Sequence, residues 1–111
     1  ERRRTIASLY SAGLKDTDLI LPHVPNWAEP AWHLYVLRSK ERDALQAKLT
    51  NVSIGSLIHY PIPPHMQKAY SDLGFAAKNF PLARDLAREV LSLPIGPHVE
   101  TLDQEQVIKC L

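Results

Sequence analysis

Apolar residues recur at changing intervals along the chain, and the change of interval predicts the elements. Ile6, Leu9, Tyr10 and Gly13 stand at helical spacing, so residues 1–14 read as a helix, with Gly13 suited to a left-handed ending. A turn follows at Lys15–Asp18, then the short apolar run Leu19-Ile20-Leu21. Three prolines between Pro22 and Pro30 make the next stretch an extended loop, which carries Trp27 on its surface. Ala31–Ser39 is rich in aromatic and branched residues and reads as a strand. A period of two puts His33, Tyr35 and Leu37 on one face and Trp32, Leu34, Val36 and Arg38 on the other. Both faces are largely apolar, so this strand belongs inside a sheet.

Beyond it, Glu41–Leu49 has Leu45 and Leu49 four apart and no breaker, the pattern of a short amphipathic helix. Val52–Tyr60 reads as a second strand, closed by Pro61-Ile62-Pro63-Pro64, where the chain must leave the sheet in a stiff, extended form. Met66–Tyr70 makes a turn of helix. A longer helix runs from the Asn79–Pro81 boundary to about Leu91, capped by Asn79 or the residue before it, with Leu82, Leu86 and Val90 turned inward. Leu93-Pro94-Ile95-Gly96-Pro97 breaks it. Thr101–Leu111 is a last helix, Thr101 standing as its N-cap and Leu102, Val107 and Leu111 as a sparse apolar face. The order of elements predicts an α+β fold, a small sheet covered by helices.

Composition narrows the class. With 111 residues the chain holds one small core and cannot be a complete large α/β enzyme. Hydrophobic residues make up 45% and charged residues 23%, a folded rather than disordered profile. Thirteen basic against 12 acidic residues give a net charge of +1, and the one dense basic run, Arg2-Arg3-Arg4, fits the exposed face of a helix with its heads in water. Nucleic-acid binding is disfavoured, since neither a basic stripe nor a stacking motif is present. No segment approaches the roughly 18 apolar residues of a membrane span. A charged start and a single cysteine, Cys110, fit a reducing, cytoplasmic setting.

Chemistry centres on five histidines, His23, His33, His59, His65 and His98. No two have the spacing of a helix-borne metal pair, so no metal site is expected. Neither a Gly-x-Ser-x-Gly elbow nor a phosphate-cradling glycine loop occurs, and Cys110 has no base nearby in sequence. His59 and Tyr60 end the second predicted strand, where a side chain can face a cleft; the alternative is a structural histidine bonded to a carbonyl beside a rim aromatic. His33 reads either as a ligand residue or as a partly buried histidine with one nitrogen satisfied. His65, after two prolines, is expected to be exposed, as are His23 and His98.

One stretch is more specific. Ile54-Gly55-Ser56-Leu57-Ile58-His59-Tyr60-Pro61-Ile62-Pro63-Pro64-His65-Met66-Gln67-Lys68-Ala69-Tyr70 resembles the signature of the C-terminal domain of vitamin B6-dependent sugar aminotransferases, the DegT/DnrJ/StrS family. His33-Leu34-Tyr35 with Arg38, Arg42-Asp43-Ala44-Leu45, Asn79-Phe80-Pro81-Leu82-Ala83, Leu91-Ser92-Leu93-Pro94 and Gln104–Val107 resemble further family segments in the same order. Asn51-Val52-Ser53-Ile54 departs from it where a glycine usually precedes the isoleucine, so Asn51 or Ser53 must make that turn. Asn79 replaces a usual aspartate, and Pro97–Glu100 is less alike.

The resemblance implies the small C-terminal domain of a fold-type I aminotransferase, with residues 1–14 as a linking helix and 15–111 as the domain. It implies transfer of an amino group from an amino acid, typically glutamate, to a nucleotide-linked keto sugar. Pyridoxal phosphate would sit in the full-length enzyme, a homodimer, on a lysine of a large N-terminal domain. Lys15, Lys40, Lys48, Lys68, Lys78 and Lys109 all fall at small-domain positions, so no catalytic residue and no bound cofactor are expected in this chain. His59 and Tyr60, then His33, then His65, are the candidates for lining the sugar-nucleotide cleft. A freestanding module that binds sugar nucleotides or proteins without catalysis is the other reading.

Overall fold

The structure, a computed structural model, describes residues 1–111. Helix α1 (Arg2–Gly13) is followed by a long loop, strand β1 (Tyr35–Arg38) and helix α2 (Arg42–Asn51). Short 3₁₀ turns at Pro64–Met66, Lys68–Leu73 and Ala77–Asn79 lead to helix α3 (Pro81–Glu89), strand β2 (Val90–Leu93) and helix α4 (Thr101–Cys110). The α+β class holds, with a smaller sheet than the pattern suggests: β1 and β2 pair antiparallel, Tyr35 opposite Leu93 and Leu37 opposite Leu91.

Register explains the core. Tyr35, Leu37, Leu91 and Leu93 share one face of the ribbon and are buried. Against them pack Ile6, Ala7, Tyr10 and Leu14 from and just after α1, Leu49 from α2 and Val107 from α4. The helix over residues 1–14 is thus folded into the same core as the rest of the chain. The ring centroids of Tyr10 and Tyr35 lie 5.2 Å apart, and Trp32 stacks on Tyr35 at 5.5 Å, offset geometries that aromatic quadrupoles favour. The Tyr10 hydroxyl donates to the Pro94 carbonyl at 2.8 Å, so its one polar atom is not left bare in the core.

Several expectations are corrected. The strand expected over Ala31–Ser39 is confined to Tyr35–Arg38, because Trp32 takes a φ of 51° and turns the chain out of extended geometry. The second strand is Val90–Leu93, not Val52–Tyr60; Leu57 makes only a single bridge to Ser92, as Ile20 does to Arg38. The helical period Leu82, Leu86, Val90 continues past the true end of α3 at Glu89, and Leu82 is exposed. Asn79 does not cap α3. Its Oδ1 accepts the Ala76 N–H, and Phe80 stands at the helix start. Leu9 and Leu102 are also exposed, and the N-cap of α4 is Glu100, whose N–H donates to Asp103 Oδ2 at 3.0 Å.

Two turns reflect close steric demands. Gly13 is the last residue of α1, where a Cβ would approach Ile108 of α4 to 2.7 Å, so glycine serves the α1–α4 crossing rather than a left-handed ending. Ser53 carries the left-handed turn (φ 62°) that leads from α2 toward Ile54, one of the two residues expected to make it. Arg2 and Arg4 are exposed on α1, as expected, yet the heads of the arginine run find partners. Arg2 donates to the Val99 carbonyl at 2.7 Å, Arg3 to those of Trp32 and His33 at 3.0 and 2.7 Å, and Arg4 pairs with Glu29.

Candidate functional site

The segment Leu57–Leu82 starts at the edge of the β-ribbon and holds three of the four candidate residues, His59, Tyr60 and His65. Leu57 exchanges both backbone hydrogen bonds with Ser92, its N–H donating at 3.2 Å and its carbonyl accepting at 2.8 Å. This pins the segment to β2. Two residues on, His59 is half-buried, and its Nδ1 lies 2.9 Å from the Ser92 Oγ. Tyr60 meets the His59 ring edge-on at 5.5 Å, yet is 73% exposed. His59 separates two concavities. One, of about 330 Å³, is lined by Tyr60, Ile62, Gln67 and the inner side of α3; the other, of about 470 Å³, includes Ser56, Ser92 and His98.

Further along the segment, His65 is half-buried rather than exposed. Its ring lies 4.9 Å from that of Phe80, and its Nε2 is buried with no partner. Pro64, Tyr70, Leu73 and Phe75 complete an apolar cavity of about 410 Å³ around it. His65 therefore belongs to a local aromatic cluster, apart from the His59–Ser92 pair. His33 stands in the loop before β1, exposed, and its carbonyl is held by Arg3. The strand face that would have aligned it with Tyr35 does not extend that far. His23 and His98 are exposed, as expected, and the His98 ring covers Gly96, where a Cβ would meet it at 2.1 Å.

Rigid anchors flank the segment at its far end. Arg42 is buried, its Nη1 donating at 3.2 Å to each of the Ala87 and Val90 carbonyls. A cation on the last carbonyls of α3 satisfies groups that the helix leaves unpaired. Arg38 reaches Glu89 Oε2 from both Nε (3.1 Å) and Nη2 (2.7 Å), fixing the same junction to β1. Ser92 is the residue that the sequence reading passed over. Its signal was the Leu-Ser-Leu alternation, which places a hydroxyl on the face opposite the core in a strand.

Two phenols of the core are perturbed. Burial, with smaller contributions from Asp103 and Tyr35, pushes the Tyr10 phenol up to about 12. Burial also raises Tyr35, against a lowering hydrogen bond from Ser11. Pyridoxal phosphate does not fit this chain by itself: its Schiff base needs a sequestered lysine amine. All six lysines are exposed, and none lines the cavities around His59 or His65. No group of three or more metal-ligating side chains converges anywhere, and no helix is long and apolar enough to cross a membrane.

Comparison with known proteins agrees with this architecture. The model of the DegT/DnrJ/EryC1/StrS aminotransferase family matches residues 1–111, and the chain belongs to that family. It is 50% identical over 111 residues to the erythromycin biosynthesis sensory transduction protein of Saccharopolyspora erythraea, covering 99% of this chain and 30% of that protein. It is 42% identical to the dTDP-3-amino-3,6-dideoxy-alpha-D-galactopyranose transaminase of Aneurinibacillus thermoaerophilus, covering 100% and 30%. Among solved structures, DesV of S. venezuelae, in complex with a ketimine intermediate, superimposes with a TM-score of 0.94 at 38% identity, over 98% of this chain and 30% of that one. The chain thus spans about 30% of the length of these relatives. Spr1654 of Streptococcus pneumoniae, with the same fold, has been solved in its pyridoxal phosphate form, at a TM-score of 0.88, 25% identity, and 97% and 29% coverage.

Proposed function

We propose that residues 1–111 act as the C-terminal small domain of a pyridoxal phosphate-dependent aminotransferase that aminates a nucleotide-linked keto sugar, with an amino acid such as glutamate as donor. The observation that carries this reading is the band of large apolar side chains on Leu57–Leu82. Tyr60, Ile62, Tyr70, Leu73, Phe75 and Leu82 are all exposed in the chain alone, an arrangement that a self-sufficient small domain avoids. A large cofactor-bearing domain and a second protomer would cover that band and supply the lysine. The small domain's part is then to close the cleft and bind. His59, fixed at Nδ1, and Tyr60, at the rim, offer polar groups to the nucleotide-linked sugar, and the apolar band excludes water around them. His33 and His65 are secondary candidates.

The transaminase relative whose name specifies a dTDP-linked amino sugar supports this substrate class, and the pyridoxal phosphate form of a structural neighbour supports the cofactor. The test pairs two preparations. A longer polypeptide carrying this chain behind a cofactor domain is expected to aminate dTDP- or UDP-linked keto sugars with glutamate. The 111-residue chain alone is expected to give no turnover and no stoichiometric borohydride-fixed adduct of pyridoxal phosphate. A specific adduct on one lysine of the short chain would overturn the division of labour.

A further inference from the structure

The Ser92–His59 contact fixes more than a side-chain position. Ser92 is buried in β2, and its backbone N–H and carbonyl are both engaged by Leu57. Its hydroxyl therefore has one partner, the His59 Nδ1 at 2.9 Å. A serine hydroxyl carries one proton and two lone pairs. Were Nδ1–H the donor, the hydroxyl proton would be buried with no acceptor, which is costly. With the hydroxyl donating, only oxygen lone pairs go unused, and under-satisfied acceptors are the better tolerated case. The proton of neutral His59 then resides on Nε2, which makes no hydrogen bond within the chain and is open to solvent.

We propose that Ser92 is a positioning residue that holds His59 in its Nε2–H tautomer, so that His59 meets its ligand as a hydrogen-bond donor to an acceptor oxygen. This rests on the reading that His59 faces the sugar-nucleotide cleft. The acceptor is a phosphate oxygen of the nucleotide or an oxygen of the sugar. A histidine free to exchange tautomers would present a lone pair in part of the population, and such a molecule cannot make that bond.

Long-range proton–nitrogen correlation spectra of the histidine-labelled 111-residue chain, at a pH where imidazole is neutral, read the tautomer directly. His59 should show an unprotonated Nδ1 and a protonated Nε2. Ser92→Ala should convert it to a tautomer mixture, and Ser92→Thr should restore the single form, with backbone amide spectra checking the fold. A protonated Nδ1 in the unmodified chain overturns the proposal, as does an unchanged tautomer in Ser92→Ala. Binding by the longer polypeptide supplies the second arm, with dTDP alone and a dTDP-linked sugar as probes. Ser92→Ala should weaken binding about twofold, because an even tautomer mixture halves the competent population, and His59→Leu, which has no donor, about tenfold. A loss seen with both probes assigns the bond to phosphate, and a loss with the sugar conjugate only assigns it to the sugar. Affinity lost in His59→Leu but intact in Ser92→Ala overturns the part given to Ser92. Affinity intact in both overturns the cleft reading itself, and the ligand half of this proposal with it.

Discussion

The chain contains two apolar regions that meet different fates. Around the β-ribbon, Ile6, Tyr10, Leu14, Tyr35, Leu37, Leu49 and Leu91 are fully buried and close on one another. Along Lys68–Leu82 every residue is exposed, although Tyr70, Leu73, Phe75, Phe80 and Leu82 are as apolar as the core. The first region is held by β1–β2 pairing and by helices packed on one face. The second is a run of 3₁₀ turns tethered at its ends, by the Leu57–Ser92 bridge and by the Arg42 and Arg38 contacts at the far end of α3. Equal hydrophobicity with unequal burial separates what the chain needs in order to fold from what the proposed cofactor domain and second protomer would cover.

Mutations should divide along the same line. Tyr10→Ala empties the centre of the core and breaks the bond to the Pro94 carbonyl; it should cost about 3–5 kcal/mol in urea unfolding of the 111-residue chain. A smaller cost would mean that the ribbon core is not the stabilising unit. The same residue gives a pH dependence. Its folded pKa is raised from 10.0 to about 12, so the unfolded chain loses the phenol proton first. Its contribution is fully present below pH 10 and is lost as pH rises toward 12. The urea midpoint should fall across that window, and Tyr10→Phe should make the fall shallower.

A more modest effect is expected at Gln104, on the inner face of α4. It is 1% exposed, and both its Oε1 and Nε2 lack partners. Gln104→Leu keeps the volume and removes the unpaired amide, so it should raise stability by about 1 kcal/mol and the Tm by about 4 °C. A loss of stability would show that the amide has a partner of its own. The smallest effect belongs to the exposed band. Leu82→Ser should move the stability of the 111-residue chain by no more than about 0.5 kcal/mol, while impairing assembly of the longer polypeptide, as read by sedimentation. A large loss in the short chain would erase the distinction between the two regions.

Much of the fold was legible because helix signals are local. Pro81 opens α3, the Leu45–Leu49 spacing falls in α2, and the Tyr35–Leu37 alternation survives in β1. Of the elements that the pattern misplaces, β2 has four residues and continues the apolar period of α3 without a break, so the Leu91-Ser92-Leu93 alternation is its one local cue against a helix. Only pairing with β1 decides it, and pairing is a tertiary fact. The site divides in the same way. His59 and Tyr60 stood out by their place before the prolines and by the family signature, whereas Ser92, 33 residues further along, joins His59 only through the Leu57 bridge. His33 was placed on a strand face by extrapolating a period that ends at the Trp32 turn.

The central claim is that this domain presents His59 to a nucleotide-linked sugar within an aminotransferase. Steady-state amination by the longer polypeptide tests it most directly, with dTDP-linked keto sugar and glutamate varied separately in the unmodified protein and in His59→Leu, which has no donor. The account predicts a KM for the sugar nucleotide raised about tenfold, the worth of one hydrogen bond to a ligand, with the KM for glutamate unchanged. Equal KM values for the sugar nucleotide in the two proteins would contradict it.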